Sequence, residues 1–142
     1  MDKIEHLGIA VHDLEISNKL FEKLLGTSPF KTEEVVSEKV KTSFFKLGPN
    51  KIELLQATAT DSVIAKYLKN NGEGVHHVAF ATNNLEADLN RLGEQGFKVL
   101  EGFPKKGADN KNVAFLHPRE TNGILVELCE DIKGTNKRED NC

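Results

Sequence analysis

Tryptophan is absent from this chain of 142 residues, tyrosine occurs once, and cysteine only twice, at Cys129 and Cys142. One cysteine inside an apolar stretch and one at the terminus exclude a disulfide framework and a cysteine cage for a metal. Any metal must then be held by histidine and carboxylate. No apolar run approaches the roughly 20 residues that cross a bilayer, and the start Met1-Asp2-Lys3-Ile4-Glu5-His6 lacks the layout of a signal peptide. The default expectation is a cytoplasmic protein with no membrane partner. A net charge of −3, with no basic stripe interleaved with aromatics, weighs against nucleic acid as a partner. Hydrophobic content of 38% fits one soluble domain spanning 1–142.

What the chain does have is an internal echo. Ile4-Glu5-His6-Leu7-Gly8-Ile9-Ala10-Val11, followed by Asp13-Leu14-Glu15, is matched by Val75-His76-His77-Val78-Ala79-Phe80-Ala81, followed by Asn84-Leu85-Glu86. Each half closes on a short apolar strand with one acid, Glu53 in Lys51–Leu55 and Glu127 in Leu125–Cys129. The offset of about 71 residues, His6 to His77, is a duplication and not the shorter period of a solenoid. The halves run over about 3–57 and 74–130, each reading as strand, helix and three strands. Asp13 caps a helix over 14–25 with Leu14, Leu20, Phe21, Leu24 and Leu25 at helical spacing and Gly26 as its stop; Asn84 and Gly96 bound the counterpart over 85–95. Strands are expected at about 29–36, 40–47 and 51–56, and again at 97–101, 112–117 and 123–129. A connecting helix falls within 61–70, and the polar tail, 131–142, is expected to fray.

Strand side chains alternate between faces. His6 shares its face with Gly8 and Ala10, and His77 shares its face with Ala79 and Ala81, while the bulkier Leu7, Ile9, Val11, Val78 and Phe80 point the other way. Each histidine therefore lies among residues too small to fill space, which marks a hollow. Glu53 and Glu127 each stand between apolar neighbours of the opposite face. A buried carboxylate costs several kcal/mol unless it is paired or protonated. Lys51 or Lys46 could pair Glu53, but four such groups in register point to a shared divalent cation held by His6, Glu53, His77 and Glu127. Two neutral imidazoles and two carboxylates balance its charge, suit Co, Mn, Ni, Zn or Fe above Ca, and leave two octahedral positions for water or substrate. By the same parity His76 points away from His77, and Gln56 away from Glu53. His12 and His117 read as turn residues, and Cys129 as a small core residue.

Ile4–Val11, Lys51–Leu55, Gly74–Phe80 and above all Val113–Leu128, with its His117-Pro118-Arg119 and Gly123–Leu128 segments, resemble the vicinal oxygen chelate superfamily over residues 3 to about 130. Within it the chain is similar to the methylmalonyl-CoA epimerases. The resemblance implies an α+β fold of two βαβββ modules forming an eight-stranded, partly open barrel-like sheet around a metal cavity. It implies ligands at His6, Glu53, His77 and Glu127, cobalt as the usual ion with Mn, Ni or Zn as alternatives, a homodimer, and an acyl-CoA substrate. The expected reaction interconverts the 2R and 2S forms of methylmalonyl-CoA, with Glu127 and Glu53 as candidate catalytic carboxylates. Some members carry a second Glu on the strand where this chain has Thr42, and Thr is no base at neutral pH; nothing in the sequence places Glu38 in the cavity. Lys105, Lys106, Lys111 and Arg119 are candidates to meet CoA phosphates. Glyoxalase I, which shares the His/Glu/His/Glu logic, an extradiol dioxygenase, and a metal-free drug-binding resistance module remain the competing readings of this fold.

Overall fold

The computed structural model of the protein describes residues 1–133. Its order is β1 (Ile4–Ala10), α1 (Leu14–Leu25), β2 (Lys31–Val35), β3 (Val40–Leu47), β4 (Asn50–Ala57), α2 (Val63–Asn71), β5 (Gly74–Ala81), α3 (Leu85–Glu94), β6 (Lys105–Lys106), β7 (Lys111–Leu116) and β8 (Val126–Asp131). The tail expected from 131 onward lies outside the described residues beyond Lys133, and Asp131 is the last residue of β8. Among the described residues no helix is long and apolar enough to cross a membrane.

The ends of α1 follow from its sequence. The Asp13 carboxylate accepts the Ile16 N–H at 3.0 Å, and Gly26, at φ 70°, turns the chain out of the helix while donating to the Glu22 carbonyl. Asn84 caps α3 and Ser62 caps α2 in the same way. Leu14 of α1 packs with Val11, Phe45 and Leu54, and Phe21 and Leu25 join them; Leu85 and Leu92 of α3 pack with Ala114, Leu116, Val126 and Leu128. The bulky faces of β1 and β5 thus meet a helix, as their alternation implies. One detail of α1 differs. Leu20 and Leu24 are exposed with Ile16, because the helix lies on the sheet through Leu14, Phe21 and Leu25, and the remaining leucines fall on its outer side.

All eight strands form one sheet in the order β2-β3-β4-β1-β5-β8-β7-β6. Each module contributes four, and the two first strands, β1 and β5, lie antiparallel at the centre. β1 runs parallel to β4, and β5 runs parallel to β8, so the acid-bearing last strand of each module flanks its histidine-bearing first strand. The strand expected over 97–101 is absent as such. That segment touches β7 through a single bridge, Val99 to Leu116, and the backbone bonds Leu100 N–H to Phe115 and His117 N–H to Lys98. Gly102, at positive φ, and Pro104, which has no N–H, interrupt the pairing. The edge position then passes to the two-residue β6.

Candidate metal centre

Across the central pair, Gly8 stands opposite His77, and Ala79 stands opposite His6. Each histidine of one module faces a small residue of the other. At Gly8 the fit is close: a methyl group there would lie 2.5 Å from both Nδ1 and Nε2 of His77. Part of the hollow implied by the small residues is the space that the cross-strand imidazole fills.

His6 Nε2 and His77 Nε2 are 3.0 Å apart. Glu127 Oε2 lies 3.2 Å from the first and 3.1 Å from the second, and Glu53 Oε1 lies 3.4 Å from both. Donors held at about 2.1 Å from a first-row divalent ion stand roughly 3.0 to 3.4 Å from one another at octahedral to tetrahedral angles. The donors of His6, His77 and Glu127 have that mutual spacing, and Glu53 Oε1 stands within it of both histidine nitrogens; the nitrogen and oxygen set suits such an ion. All four residues are buried. The lysines that were the alternative partners of Glu53 are elsewhere: Lys51 binds Glu5 and Asp109 at 2.8 Å each, and Lys46 lies over the Phe30 ring.

The two carboxylates differ in their second oxygen. Glu53 Oε2 accepts the Thr42 hydroxyl at 2.9 Å, and Thr42 is fully buried. Glu127 makes no such bond among the described residues and lines a 360 Å³ cavity that opens from the centre. Val40, Leu55 and Ile64 on one side and Phe103, Val113 and Phe115 on the other give the cavity apolar walls. Glu38, which nothing in the sequence places there, also borders it, because the turn Val36–Glu38 before β3 bends over the rim and Glu38 pairs with Lys105. Beside that pair, Asp109 reaches back to Lys51 and Lys31, and its N–H donates to Glu33. A loop of the second module is thereby pinned across strands of the first. Of the four cations suggested for CoA, only Lys105 borders the cavity; Lys106 and Arg119 are exposed, and Lys111 pairs with Asp131.

Parity correctly separates Gln56, whose side chain accepts the Leu14 N–H at 2.7 Å, but it fails for His76. The β1–β5 register slips at Glu5 and again at His76. Each slip is a β-bulge, which sets two consecutive side chains toward one face. His76 therefore lines the cavity beside His77, their Nδ1 atoms 2.9 Å apart. Its repeat counterpart Glu5 is buried next to His6, with Oε1 3.8 Å from His6 Nδ1. Glu5 escaped the sequence reading, although two successive polar residues at the same place in both repeats were its signal. His117 caps its own turn by accepting the Arg119 N–H, the His12 N–H donates to Glu73, and Cys129 packs with Ala79 and Val113.

Residues 5–115 match the family model described as Glyoxalase/Bleomycin resistance protein/Dioxygenase superfamily. The chain belongs to this superfamily. Within the superfamily it is 40% identical over 130 residues to the Bacillus subtilis protein called uncharacterized protein YqjC, covering 92% of this chain and 93% of that one. It is 39% identical over 128 residues to the ethylmalonyl-CoA/methylmalonyl-CoA epimerase of Cereibacter sphaeroides, covering 89% and 96%. Among solved structures of the superfamily, a variant of Streptomyces coelicolor methylmalonyl-CoA epimerase in complex with 2-nitronate-propionyl-CoA superimposes with a TM-score of 0.89 at 34% identity, covering 94% and 96%.

The side chains of the centre act on one another's charge. Burial works against charge on every member, yet the carboxylates outweigh it at the histidines: Glu127, Glu5 and Glu53 hold His6 well above its usual range, and Glu127 and Glu53 raise His77 to about 8. Burial is likewise overcome at Glu53 and Glu127, which the two histidines keep below the ordinary carboxylate range. Two Nε2 atoms 3.0 Å apart can share one proton but cannot each carry one toward the other. The pair therefore holds one proton at neutral pH, and a cation must displace it. Cobalt titrations in buffers of different ionisation enthalpy should show about one proton released per ion at pH 7. Because the raised histidine pKa keeps the proton bound below about 8, affinity should climb about tenfold per pH unit from 6 and level off above 8. Affinity independent of pH over that span would contradict the shared proton.

Proposed function

We propose that this protein is a divalent-metal-dependent epimerase that interconverts (2R)- and (2S)-methylmalonyl-CoA. The observation that carries the proposal is Glu127 at the meeting point of the buried histidine and glutamate centre and the apolar cavity, with an oxygen that no group among the described residues engages. The Cereibacter relative named as an epimerase of this substrate class, and the CoA adduct in the Streptomyces neighbour, support it. Cobalt is the metal we assign, and a cytoplasmic homodimer is the assembly.

The C2 proton of the substrate lies between a thioester and a carboxylate, and its loss puts charge on the thioester oxygen. Held by His6, His77, Glu53 and Glu127, a divalent ion would offset that charge. Glu127 takes the proton through the oxygen that no group among the described residues occupies. Inversion requires delivery to the opposite face of the planar carbon, and Glu53 is the other carboxylate at the centre. Thr42 holds its Oε2, and its Oε1 faces both histidines, so Glu53 is a ligand first and meets the second face only when the Thr42 bond yields. The Leu55, Ile64 and Phe115 walls exclude water from the carbanionic carbon.

The test is C2 proton exchange of methylmalonyl-CoA in deuterated buffer. Exchange and inversion should occur with the cobalt-loaded protein and stop on chelation. Turnover of methylglyoxal with glutathione, and none of methylmalonyl-CoA, would replace the proposal with a glyoxalase.

A further inference from the structure

The bulge at His76 gives this residue two faces, and the geometry points to two separable tasks for it. It positions His77, and it presents a hydrogen-bond donor to an acceptor oxygen of the acyl-CoA substrate. The first task follows from the ring nitrogens. His77 turns Nε2 toward His6, Glu53 and Glu127, so its proton resides on Nδ1. Nδ1 lies 2.9 Å from His76 Nδ1, which must accept. Metal-ligating histidines are oriented in this way by the partner of their other nitrogen, and losing such a partner typically lowers metal affinity about 10- to 100-fold.

The second task follows from the first. A His76 that accepts at Nδ1 carries its proton on Nε2. That nitrogen has no partner among the described residues, while the ring lines the cavity. Tyr67 meets the ring edge-on, with centroids 4.9 Å apart, and donates its own hydroxyl to the Val75 carbonyl. The imidazole is thereby packed in one orientation with a neutral donor beside the centre. The repeat makes the assignment specific to this end of the site. Glu5, the residue at the other bulge, is taken up by Lys51, which Asp109 also binds; His76 alone of the two opens on the cavity.

The donor task rests on the acyl-CoA reading; the positioning task does not, and three variants separate them. His76→Asn keeps an acceptor near the Nδ1 position and removes the donor; His76→Gln reaches the Nε2 position with an amide donor and leaves Nδ1 unmatched; His76→Phe keeps the contact with Tyr67 and removes both. Cobalt affinity is measured by the visible spectrum of the ion with no substrate present, and KM and kcat are measured for proton exchange. His76→Phe and His76→Gln should lose about tenfold or more in cobalt affinity, with His76→Asn within about threefold of the parent. At saturating cobalt, His76→Phe and His76→Asn should lose about tenfold in kcat/KM, and His76→Gln should retain most of it. Unchanged cobalt affinity in His76→Phe would overturn the positioning task, and unchanged kcat/KM in the Phe and Asn variants would overturn the donor task. If the parent protein does not turn over methylmalonyl-CoA but His76→Phe still loses cobalt, the functional reading fails and the positioning of His77 stands.

Discussion

Gly8→Ala is expected to abolish high-affinity metal binding while the chain still folds. The added methyl would lie 2.5 Å from two ring nitrogens of His77, far inside van der Waals contact, so either the ring or the backbone has to move. The backbone is held at the centre of an eight-stranded sheet, with β4 on one side of β1 and β5 on the other. The ring is the softer element, and its displacement carries Nε2 away from His6, Glu53 and Glu127. Loss of one ligand and disturbance of a 3.0 Å spacing should lower cobalt affinity by at least about 100-fold, beyond what a lost orienting partner causes. Strain from overpacking should lower folding stability by about 1–3 kcal/mol. Gly93→Ala is the control, since nothing lies near its added methyl and Gly93 is within α3. It should leave cobalt affinity unchanged and raise stability by up to about 1 kcal/mol. Cobalt titration and thermal melting of both variants check this, and wild-type affinity in Gly8→Ala would show that the ring does not need the space.

The same residue shows how much could be read in the sequence and where that reading stopped. The repeat and the two-residue alternation led to the two histidines and two glutamates that meet at the centre of the sheet, the module order and the helices, because strand parity and helix spacing are local properties of a chain. Gly8 was legible as small and as sharing a face with His6. That it makes room for the histidine of the other module was not, since this depends on cross-strand register, which one sequence does not encode locally. His76 and Glu5 were misread or overlooked for a related reason. A bulge inserts one residue into the ladder and reverses the parity from that point, and nothing in Gly74–His77 or Ile4–His6 marks it except two polar residues in a row. The expected strand at 97–101 has β-prone side chains, but it runs into Gly102 and Pro104 before a ladder can form. Lys105 to Asp109 crosses to the other module through ion pairs with residues more than 50 positions away, beyond the reach of any spacing argument. Thr42 was legible only as the lack of a base; its position shows what it does instead, which is to hold one oxygen of Glu53.

That contrast between the two carboxylates leads to the second large effect. Glu127→Gln should lower epimerisation by about 10³-fold, within the 10²- to 10⁴-fold that a positioned general base contributes. The glutamine retains the shape and one oxygen donor, so cobalt should still bind, and the fold should survive because a neutral amide costs less to bury than a carboxylate. Inversion needs proton traffic at both faces of C2, so its loss alone does not say how many bases act. Exchange from each resolved epimer does. If Glu53 meets the opposite face, one epimer should still wash out its C2 proton into deuterated solvent without inverting, while the other does not exchange. If Glu127 serves both faces, exchange stops from either epimer. Parental exchange from both would remove Glu127 from the chemistry. The geometry favours one-sided exchange that is slow. Glu53 has Oε1 toward both histidines and Oε2 under the Thr42 hydroxyl, so it can accept a proton only by giving up a hydrogen bond that Glu127 does not have to break. Thr42→Val in the Glu127→Gln background removes that bond with little change in volume. It should raise the residual one-sided exchange by several-fold if Glu53 is the second base, and leave it unchanged if Glu53 is a ligand alone.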